Sequence, residues 1–475
     1  MEHMTSKMRD RFIKKIFFLL LGTMFVLNGC SRSYDSMLSP IELKEDLHFV
    51  LETAEQVHPN LFAHTPKEEF DFQCNKVKHQ IKKPLSRLDF YKSLSSLVAS
   101  LKFGHTFVMP IDKYFREYVF FGGRVYPFKF LCTGNKVILE AYYGSSELPV
   151  GGEIITIDDQ TAKDFLIETG RFFPSEGKAY NLAFLQRKGK LPMFLWLAKG
   201  EKEFLQLKIR GIDGIEKDYV VAPEKCSWSK IVQGHKRTSP KNYTYHTLTE
   251  YNAGLIEINS FMDLEKFKVF LKRTFEKIQV SEPSALIIDI RNNPGGGSRT
   301  GNELLKYLTD KPFSQFELTQ IKLSPQLYSK DSYYQNKYSD NKIGSVVTVK
   351  SHPIQPADNP LKYSGPIYLL IGPKTASAAM SFAAAVKELK IGTLIGEETT
   401  DTPVNYGAYL SFKLPNSKLT FCVACKRIVC IRGKENGRGV LPDYEIIQKP
   451  KDIIKNVDTV LQFTLDFIKR ACKTS

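Results

Sequence analysis

The stretch ALIIDIRNNPGGGS (residues 285–298) decides how the second half of this chain folds. Its first six residues are apolar apart from Asp289, a pattern typical of a parallel strand that is buried on both faces. Three successive glycines follow the strand, and glycines let backbone amides come close to a bound group. The loop has neither the GxxxxGKS/T nor the GxGxxG spacing, so the pattern argues against a nucleotide site.

A second stretch, PIYLLIGPKTASAA (residues 366–379), has the same order of buried strand, short loop and helix start. Ser377 lies at the predicted start of the helix, so its hydroxyl is expected at the carboxyl edge of the sheet. Free amides at a helix start can stabilise an oxyanion that forms beside such a serine. Taken alone, a serine at this position is more simply interpreted as a helix N-cap. The glycine loop shifts the balance toward a nucleophile.

Strand and helix patterns alternate from about residue 250 onward. This alternation predicts an α/β layer with a partly parallel sheet. The predicted strands are 255–258, 285–290, 367–371 and one beginning at 394, and the predicted helices are 263–278, 300–308 and 376–389.

The first half of the chain is predicted to form two smaller domains. Three helix start signals, each with a hydroxyl at the N-cap and a carboxylate three residues on, begin at Ser39, Thr65 and Ser86. Short alternating runs then predict a β-rich domain, in which GGEIITIDD (residues 151–159) resembles a stretch of PDZ domains. The fold class is therefore predicted to be multidomain α+β. The predicted segments are a signal peptide 1–29, a tether 30–36, a helical domain 37–112, a β-rich PDZ-like domain 113–225, a connector 226–246 and an α/β domain 247–475.

The charge balance does not favour nucleic-acid binding. The 475 residues include 67 Lys and Arg against 51 Asp and Glu, a formal charge of +16. This excess is spread thinly, without five consecutive basic residues or a basic helical stripe. We expect no nucleic-acid partner.

The N-terminus has the pattern of a bacterial lipoprotein leader. A basic segment precedes the apolar run 16–27, whose twelve residues fall short of the roughly 20 that a permanent membrane helix needs. The run ends in Leu-Asn-Gly-Cys (residues 27–30), which resembles a lipobox with Cys30 as the lipidated residue. An ordinary cleaved signal peptide is the alternative. The lipobox interpretation predicts a chain anchored in the bacterial cell envelope through its lipid, on the periplasmic side or at the cell surface.

Cysteine chemistry is not predicted to carry the function. Of eight cysteines, seven follow Cys30, an odd number that argues against a complete disulfide framework. Cys422, Cys425 and Cys430 lie in or after an apolar strand-like run without an adjacent histidine, so they are interpreted as buried thiols rather than metal ligands.

The two stretches together resemble a known family. DIRNNPGGG followed some 80 residues later by TASAA is similar to the C-terminal processing (tail-specific) serine peptidases, which are related to the tricorn core. The resemblance covers the helical start through FGHT (residues 103–106) and nearly all of residues 250–447. It implies an α/β catalytic domain of the tail-specific protease type. It also implies Ser377 as nucleophile, with an oxyanion hole made by the amides of Ala378 and of Gly295 or Gly296.

The resemblance also bears on the base that activates the serine. Family members with a Ser-Lys pair carry a lysine 25 residues after the serine, but this position is Thr402 here. The tricorn-like branch uses a histidine of a GHT segment and a glutamate just before a GVxPD segment, which implies His105 as general base and Glu435 as the orienting acid. Glu397 or Glu398 is the competing carboxylate. The segment that begins at Asp401 departs from the paired glycines that the family often has here.

These patterns predict an envelope-anchored serine peptidase that cleaves peptide bonds through an acyl-enzyme. The expected partners are a peptide or protein substrate and the membrane, and no metal or other cofactor is implied. The alternative is a non-catalytic peptide-binding lipoprotein on the same fold.

Overall fold

The computed structural model describes residues 34–177, 182–186, 190–200, 202–233 and 242–474. The predicted signal peptide and the lipobox with Cys30 lie outside the described residues. Within the described ranges, no helix is both long enough and apolar enough to cross a bilayer.

The N-terminal part is helical, as predicted. Helix α1 (Pro40–Val57) begins with a capping box, because Ser39 and Glu42 hydrogen-bond each other's backbone N–H groups. Helix α3 (Arg87–Ala99) is capped by the Ser86 hydroxyl. The predicted cap at Thr65 is wrong: its hydroxyl donates to the Ser100 carbonyl at 2.7 Å, and α2 begins after Pro66 without a side-chain cap.

Short strands and helices follow, up to residue 233. Strands β5, β6, β7, β9 and β10 form an antiparallel sheet in the order β10-β9-β7-β6-β5, with β8 paired to β7. The helices of this half are α1 Pro40–Val57, α2 Lys67–Gln80, α3 Arg87–Ala99, α4 Asp112–Phe120, α5 Ala162–Thr169, α6 Leu182–Leu185, α7 Lys190–Lys199 and α8 Trp228–Gln233. The strands are β1 Met37–Leu38, β2 Leu85–Ser86, β3 Phe107–Val108, β4 Arg124–Val125, β5 Phe128–Thr133, β6 Lys136–Tyr142, β7 Glu153–Ile157, β8 Gln160–Thr161, β9 Leu205–Arg210, β10 Glu216–Val221 and β11 Glu224–Lys225.

The second half is built on the predicted α/β sheet, whose order is β12-β13-β14-β17-β18-β21. Strands β13, β14, β17, β18 and β21 run parallel, and β12 pairs antiparallel with β13 at the edge of the sheet. Neighbouring residues of β14 (Ala285–Asp289) face opposite sides of the sheet. Ile288 lies in the core under helices α9 (Leu264–Ser281) and α13 (Ala378–Glu388), and Ile287 lies in the core under helix α15 (Thr459–Thr474). Burial on both faces explains the nearly continuous apolar sequence of these strands.

A separate antiparallel sheet, in the order β16-β15-β20-β19, was not predicted. Strand β20 also pairs with β3, which follows the His105 turn. Phe421 and Val423 of β20 pack into the same core as the N-terminal helices and the β-rich part. Cys430 of the same strand belongs to the core of the α/β part, so β20 contributes to both cores.

The elements of the second half complete the chain. The strands are β12 Tyr243–Leu248, β13 Ala253–Ile258, β14 Ala285–Asp289, β15 Phe316–Lys322, β16 Val346–Lys350, β17 Ile367–Ile371, β18 Thr393–Gly396, β19 Val404–Lys413, β20 Thr420–Cys430 and β21 Tyr444–Glu445. The helices are α9 Leu264–Ser281, α10 Ser298–Leu305, α11 Pro325–Lys330, α12 Ser332–Lys337, α13 Ala378–Glu388, α14 Pro450–Ile454 and α15 Thr459–Thr474, with 3₁₀ helices at Gly170–Phe172 and Thr249–Tyr251.

Candidate active site

Ser377 lies between the end of β17 and the first residue of α13, and its backbone is strained. Its φ of +52° and ψ of −125° fall in a region that L-residues other than glycine rarely occupy, at a cost on the order of 1–3 kcal/mol. The side chain makes no capping hydrogen bond to the helix. The hydroxyl of Ser377 is therefore not used as an N-cap, and it lines a cavity instead.

Hydrogen bonds to the loops on either side hold Ser377 in this conformation. Its backbone N–H donates to Asp401 Oδ2 at 2.5 Å, and its carbonyl accepts from the Ser381 N–H at 3.0 Å. The preceding residue, Ala376, donates its N–H to the Asn293 carbonyl at 3.1 Å. The serine is thus tied both to the glycine loop and to the loop after β18.

The glycine loop packs against Ser377 so closely that side chains do not fit. Gly295 has a φ of +102°, and a Cβ there would lie 2.7 Å from the Cβ of Ser377. Gly296 has a φ of +138°, and a Cβ there would lie 2.5 Å from the Phe261 carbonyl carbon. Both positions require glycine, for the backbone angle and for the space.

The predicted oxyanion donors differ in their availability. The Gly295 N–H donates to Asn293 Oδ1 at 2.9 Å, so this amide is already engaged. The N–H groups of Gly296 and Ala378 have no acceptor among the described residues, and both residues line the cavity with Ser377. Of the amides that the sequence offers, these two are free to bind an oxyanion.

The cavity has a volume of about 730 Å³ and lies where the α/β sheet meets the antiparallel sheet. Its walls combine large aromatic side chains with a few polar ones. The residues lining it include the apolar or aromatic Phe107, Phe173, Phe184, Met262, Phe316, Tyr409 and Ile428, and the polar His105, Ser377, Asp401, Asn405 and Lys426.

His105 enters the same cavity from the N-terminal half. A turn closed by the Thr106 N–H and the Phe103 carbonyl at 3.0 Å positions it, and β3 follows directly. Its Nδ1 atom is buried and has no hydrogen-bond partner among the described residues. No hydrogen bond joins the ring to Ser377 within the described part of the chain, so the structure brings the two side chains to one cavity without coupling them.

The comparison with known families bears on these residues. Residues 252–446 match the model of peptidase family S41. This part of the chain is an S41 peptidase domain. The match contains Ser377, the glycine loop and Glu435, whereas His105 lies outside it.

Curated relatives of the S41 domain have names that agree with this family. The chain is 22% identical over 246 residues to a carboxyl-terminal-processing protease of a Picosynechococcus species, covering 51% of each chain. It is 25% identical over 209 residues to the tail-specific protease of Haemophilus influenzae, covering 42% of this chain and 25% of that protein. The aligned part therefore spans about half the length of the first relative, and a quarter of the second.

Among solved structures, mature CPAF complexed with lactacystin is similar over nearly the whole chain. The TM-score is 0.59 at 17% identity, with 91% of this chain and 99% of that chain covered. At this identity the likeness concerns the fold. It extends beyond the S41 domain into the N-terminal half, so the mixed α/β multidomain architecture is shared.

Among the described residues, no hydrogen bond joins His105 to a glutamate considered as the orienting acid, and Glu398 pairs with Arg438 at 2.7 Å. Glu435 follows β20 in an exposed loop, and its carboxylate pairs with Arg427 Nη2 at 2.7 Å. Its side chain is 53% exposed and does not line the cavity. Glu397 accepts hydrogen bonds from the Thr133 hydroxyl and the Gly134 N–H, both at 3.1 Å, so it anchors the β5–β6 turn to the S41 domain.

Two other carboxylates lie beside the His105 turn, and the sequence interpretation named neither as a site residue. An ideal Cβ on Gly104 would lie 3.3 Å from Glu176 Oε2 and 4.0 Å from Asp401 Oδ1. Asp401 follows β18 at the carboxyl edge of the parallel sheet, a position from which it could have been found. Glu176 lies in an irregular loop without any motif. Burial raises the pKa of Glu176, against hydrogen bonds that lower it.

The three cysteines of β20 behave as predicted. Cys422, Cys425 and Cys430 are free and buried. Burial raises the pKa of Cys422 to about 12 and the pKa values of Cys425 and Cys430 to about 11, so these thiols are not poised to react.

Proposed function

We propose that this chain is a serine peptidase that cleaves peptide bonds through an acyl-enzyme. One observation supports the proposal most directly. The Ser377 hydroxyl, which does not cap the helix, lines one cavity together with His105 and with the free amides of Gly296 and Ala378. The S41 domain supports the same reaction class.

In the proposed mechanism each group takes one step. Ser377 Oγ attacks the carbonyl carbon of the scissile bond while His105 accepts the hydroxyl proton. The amides of Gly296 and Ala378 bind the resulting oxyanion, and His105 then protonates the departing amine. Water, activated by the same imidazole, releases the acyl group. Each oxyanion donor of this kind typically contributes on the order of 10²–10³ in rate.

The substrate is proposed to be a peptide or protein. The cavity supports an extended chain with an apolar side chain near the scissile bond, because Phe107, Phe173 and Tyr409 line one side of it. Asp401 and Lys426 also line the cavity and supply charged groups that can bind main-chain groups of a peptide.

The cell envelope is the proposed location. The lipobox-like residues 27–30 support a lipid anchor on Cys30, which would place residues 31–475 outside the cytosol. The antiparallel sheet β10-β9-β7-β6-β5 supports the PDZ-like interpretation of residues 113–225, and helices α1 to α3 support a separate N-terminal helical domain.

Glu435 keeps its proposed role as orienting acid on the strength of the sequence motif. In the present arrangement its carboxylate is paired with Arg427, so this role requires the loop after β20 to move.

Hydrolysis of a casein-derived peptide mixture by purified residues 31–475 tests the proposal. We expect cleavage by the wild type, its loss in Ser377→Ala by a factor of about 10⁶ and a large decrease in His105→Gln. Ser329→Ala and His48→Gln, which change exposed side chains, are the matched controls and should cleave like the wild type. Peptide binding without cleavage, unchanged in Ser377→Ala, would instead establish the non-catalytic peptide-binding lipoprotein.

A further inference from the structure

Glu176 is a buried carboxylate beside the His105 turn. It is 4% exposed, and its side chain is surrounded by nitrogen atoms. Oε2 accepts from the Gly104 N–H at 2.8 Å, while Oε1 accepts from the Tyr406 N–H at 3.3 Å and lies 3.2 Å from His64 Nε2.

These nitrogens come from three separate parts of the fold. His64 precedes α2, Gly104 is the covalent neighbour of His105, and Tyr406 belongs to the edge strand β19. Glu176 therefore joins the helical part, the histidine turn and the antiparallel sheet at one point. The next residue adds a second bond to the turn, because the Gly177 N–H donates to the Lys102 carbonyl at 2.8 Å.

A cluster of aromatic rings packs around the residue that precedes Gly104. The rings of Phe103, His58 and Tyr406 contact one another: the centroid of the buried Phe103 ring lies 4.1 Å from that of His58 and 4.8 Å from that of Tyr406, and it lies 4.8 Å from that of His64. Phe103 thus fixes one end of the turn by packing and Glu176 fixes Gly104 by a hydrogen bond. His105 is held between this packed cluster and the start of β3.

A carboxylate suits this place because two of its partners are backbone N–H donors, which need an acceptor. Removing it would leave buried N–H groups without partners.

We infer that Glu176 is a positioning carboxylate for the turn that carries His105, in addition to the orienting acid proposed at Glu435. This inference rests on the proposed peptidase function, in which His105 must be held in place as the base. Glu176 acts through its hydrogen bond from the Gly104 N–H, without touching substrate.

Other charged and titratable groups lie in this region, and their ionisation contributes to the pH dependence of the labelling rate. Those facing Glu176, the His105 turn and the aromatic cluster are His58, His64, Asp401, Tyr406, Tyr409, Lys322, Arg427 and Glu435.

Two readouts test the inference on purified residues 31–475. The first is the fluorophosphonate labelling rate of Ser377 as a function of pH. The second is the chemical shift of the His105 ring at fixed pH, measured by NMR on protein with ¹³C-labelled histidines. The variants are Glu176→Gln, which removes the charge, Glu176→Asp, which keeps it on a shorter side chain, and Glu435→Gln. Glu153→Gln, which removes a β7 carboxylate paired with Lys136 and Arg210, is the matched control.

We expect Glu176→Gln to slow labelling at least about tenfold and to move the His105 resonance, because the Gly104 N–H loses its carboxylate acceptor. Glu176→Asp should slow labelling less than Glu176→Gln. Glu153→Gln should change neither readout. A purely structural role would lower stability and leave the labelling rate and the His105 resonance of the folded protein unchanged.

The inference is overturned if Glu176→Gln leaves both readouts unchanged, whether or not Glu435→Gln changes them. If Glu176→Gln does not fold, Glu176→Asp decides, because a wild-type rate and an unmoved His105 resonance would contradict a positioning role. If the wild type does not react with the fluorophosphonate, the proposed function fails, and the NMR readout still decides whether Glu176 controls His105.

Discussion

Asp401 Oδ2 accepts the hydrogen bond of the Ser377 backbone N–H at 2.5 Å. The bond holds the candidate nucleophile at a positive φ, where its hydroxyl is free of the helix and lines the cavity. It comes from the loop whose sequence departs from the family pattern. Asp401, the first residue of this departing segment, therefore contacts the candidate nucleophile directly.

Substitutions of Asp401 separate the hydrogen bond from the charge. Asp401→Ala removes the acceptor, and we expect Ser377 labelling to slow about tenfold because the strained backbone loses a restraint. Asp401→Asn keeps an acceptor oxygen and should stay within about threefold of the wild type. Labelling rates at neutral pH measure both. Equal effects of the two variants would show that the charge matters and that the hydrogen bond does not.

Asn293 is the next test, because it shapes the oxyanion loop. It is fully buried, its Oδ1 accepts the Gly295 N–H at 2.9 Å, and its carbonyl accepts the Ala376 N–H. Asn293→Ala leaves the Gly295 amide without its side-chain acceptor, so we expect a loss of about 1–3 kcal/mol in the free energy of unfolding. Labelling should fall by about tenfold to a hundredfold.

Asn302→Ala controls for the loss of an asparagine from the same region. Asn302 lies in α10, accepts from Gln315 Nε2 at 2.7 Å and does not line the cavity. It should lower stability with less than about a threefold change in labelling. If Asn293→Ala labels at the wild-type rate, the glycine loop does not depend on this bond.

Acid sensitivity is expected from His58. Burial lowers the pKa of His58 to about 3, and the positive charges of Lys322 and His64 act in the same direction. The unfolded chain binds a proton near pH 6.5, so stability that His58 contributes above this pH is lost as pH falls toward 3, at up to about 1.4 kcal/mol per pH unit.

His58→Phe keeps a stacking ring between Phe103 and Tyr406 but cannot titrate. We expect its free energy of unfolding to fall less steeply between pH 6.5 and 4.5 than that of the wild type, measured by urea denaturation across this range. His48→Gln, at an exposed site in α1, is the control. The account of His58 fails if the variant and the wild type have the same slope.

Features set by short stretches of sequence could be predicted. Strands β14 and β17 are buried on both faces, so their apolar runs identified them, and Ser39 and Glu42 identified the start of α1. Thr65 has the same signal, but a carbonyl 35 residues away takes its hydroxyl. A local sequence pattern contains no information about a distant carbonyl that competes for the hydroxyl.

Features set by distant contacts could not be predicted. The antiparallel sheet depends on pairs such as Phe316 with Cys430, far apart in the sequence. Glu176 is 72 residues from Gly104 and 230 residues from Tyr406, and nothing in its own loop marks it. Ser377 and His105 were predicted as site residues, and that assignment stays a prediction until chemistry tests it.

The most direct test of the central claim, that Ser377 is a nucleophile served by His105, is intact-mass analysis of residues 31–475 after incubation with a fluorophosphonate. We predict a single adduct on the wild type, its absence in Ser377→Ala and a rate reduced at least about a hundredfold in His105→Gln. A folded wild-type protein that acquires no adduct, or one that Ser377→Ala labels equally well, would contradict the account.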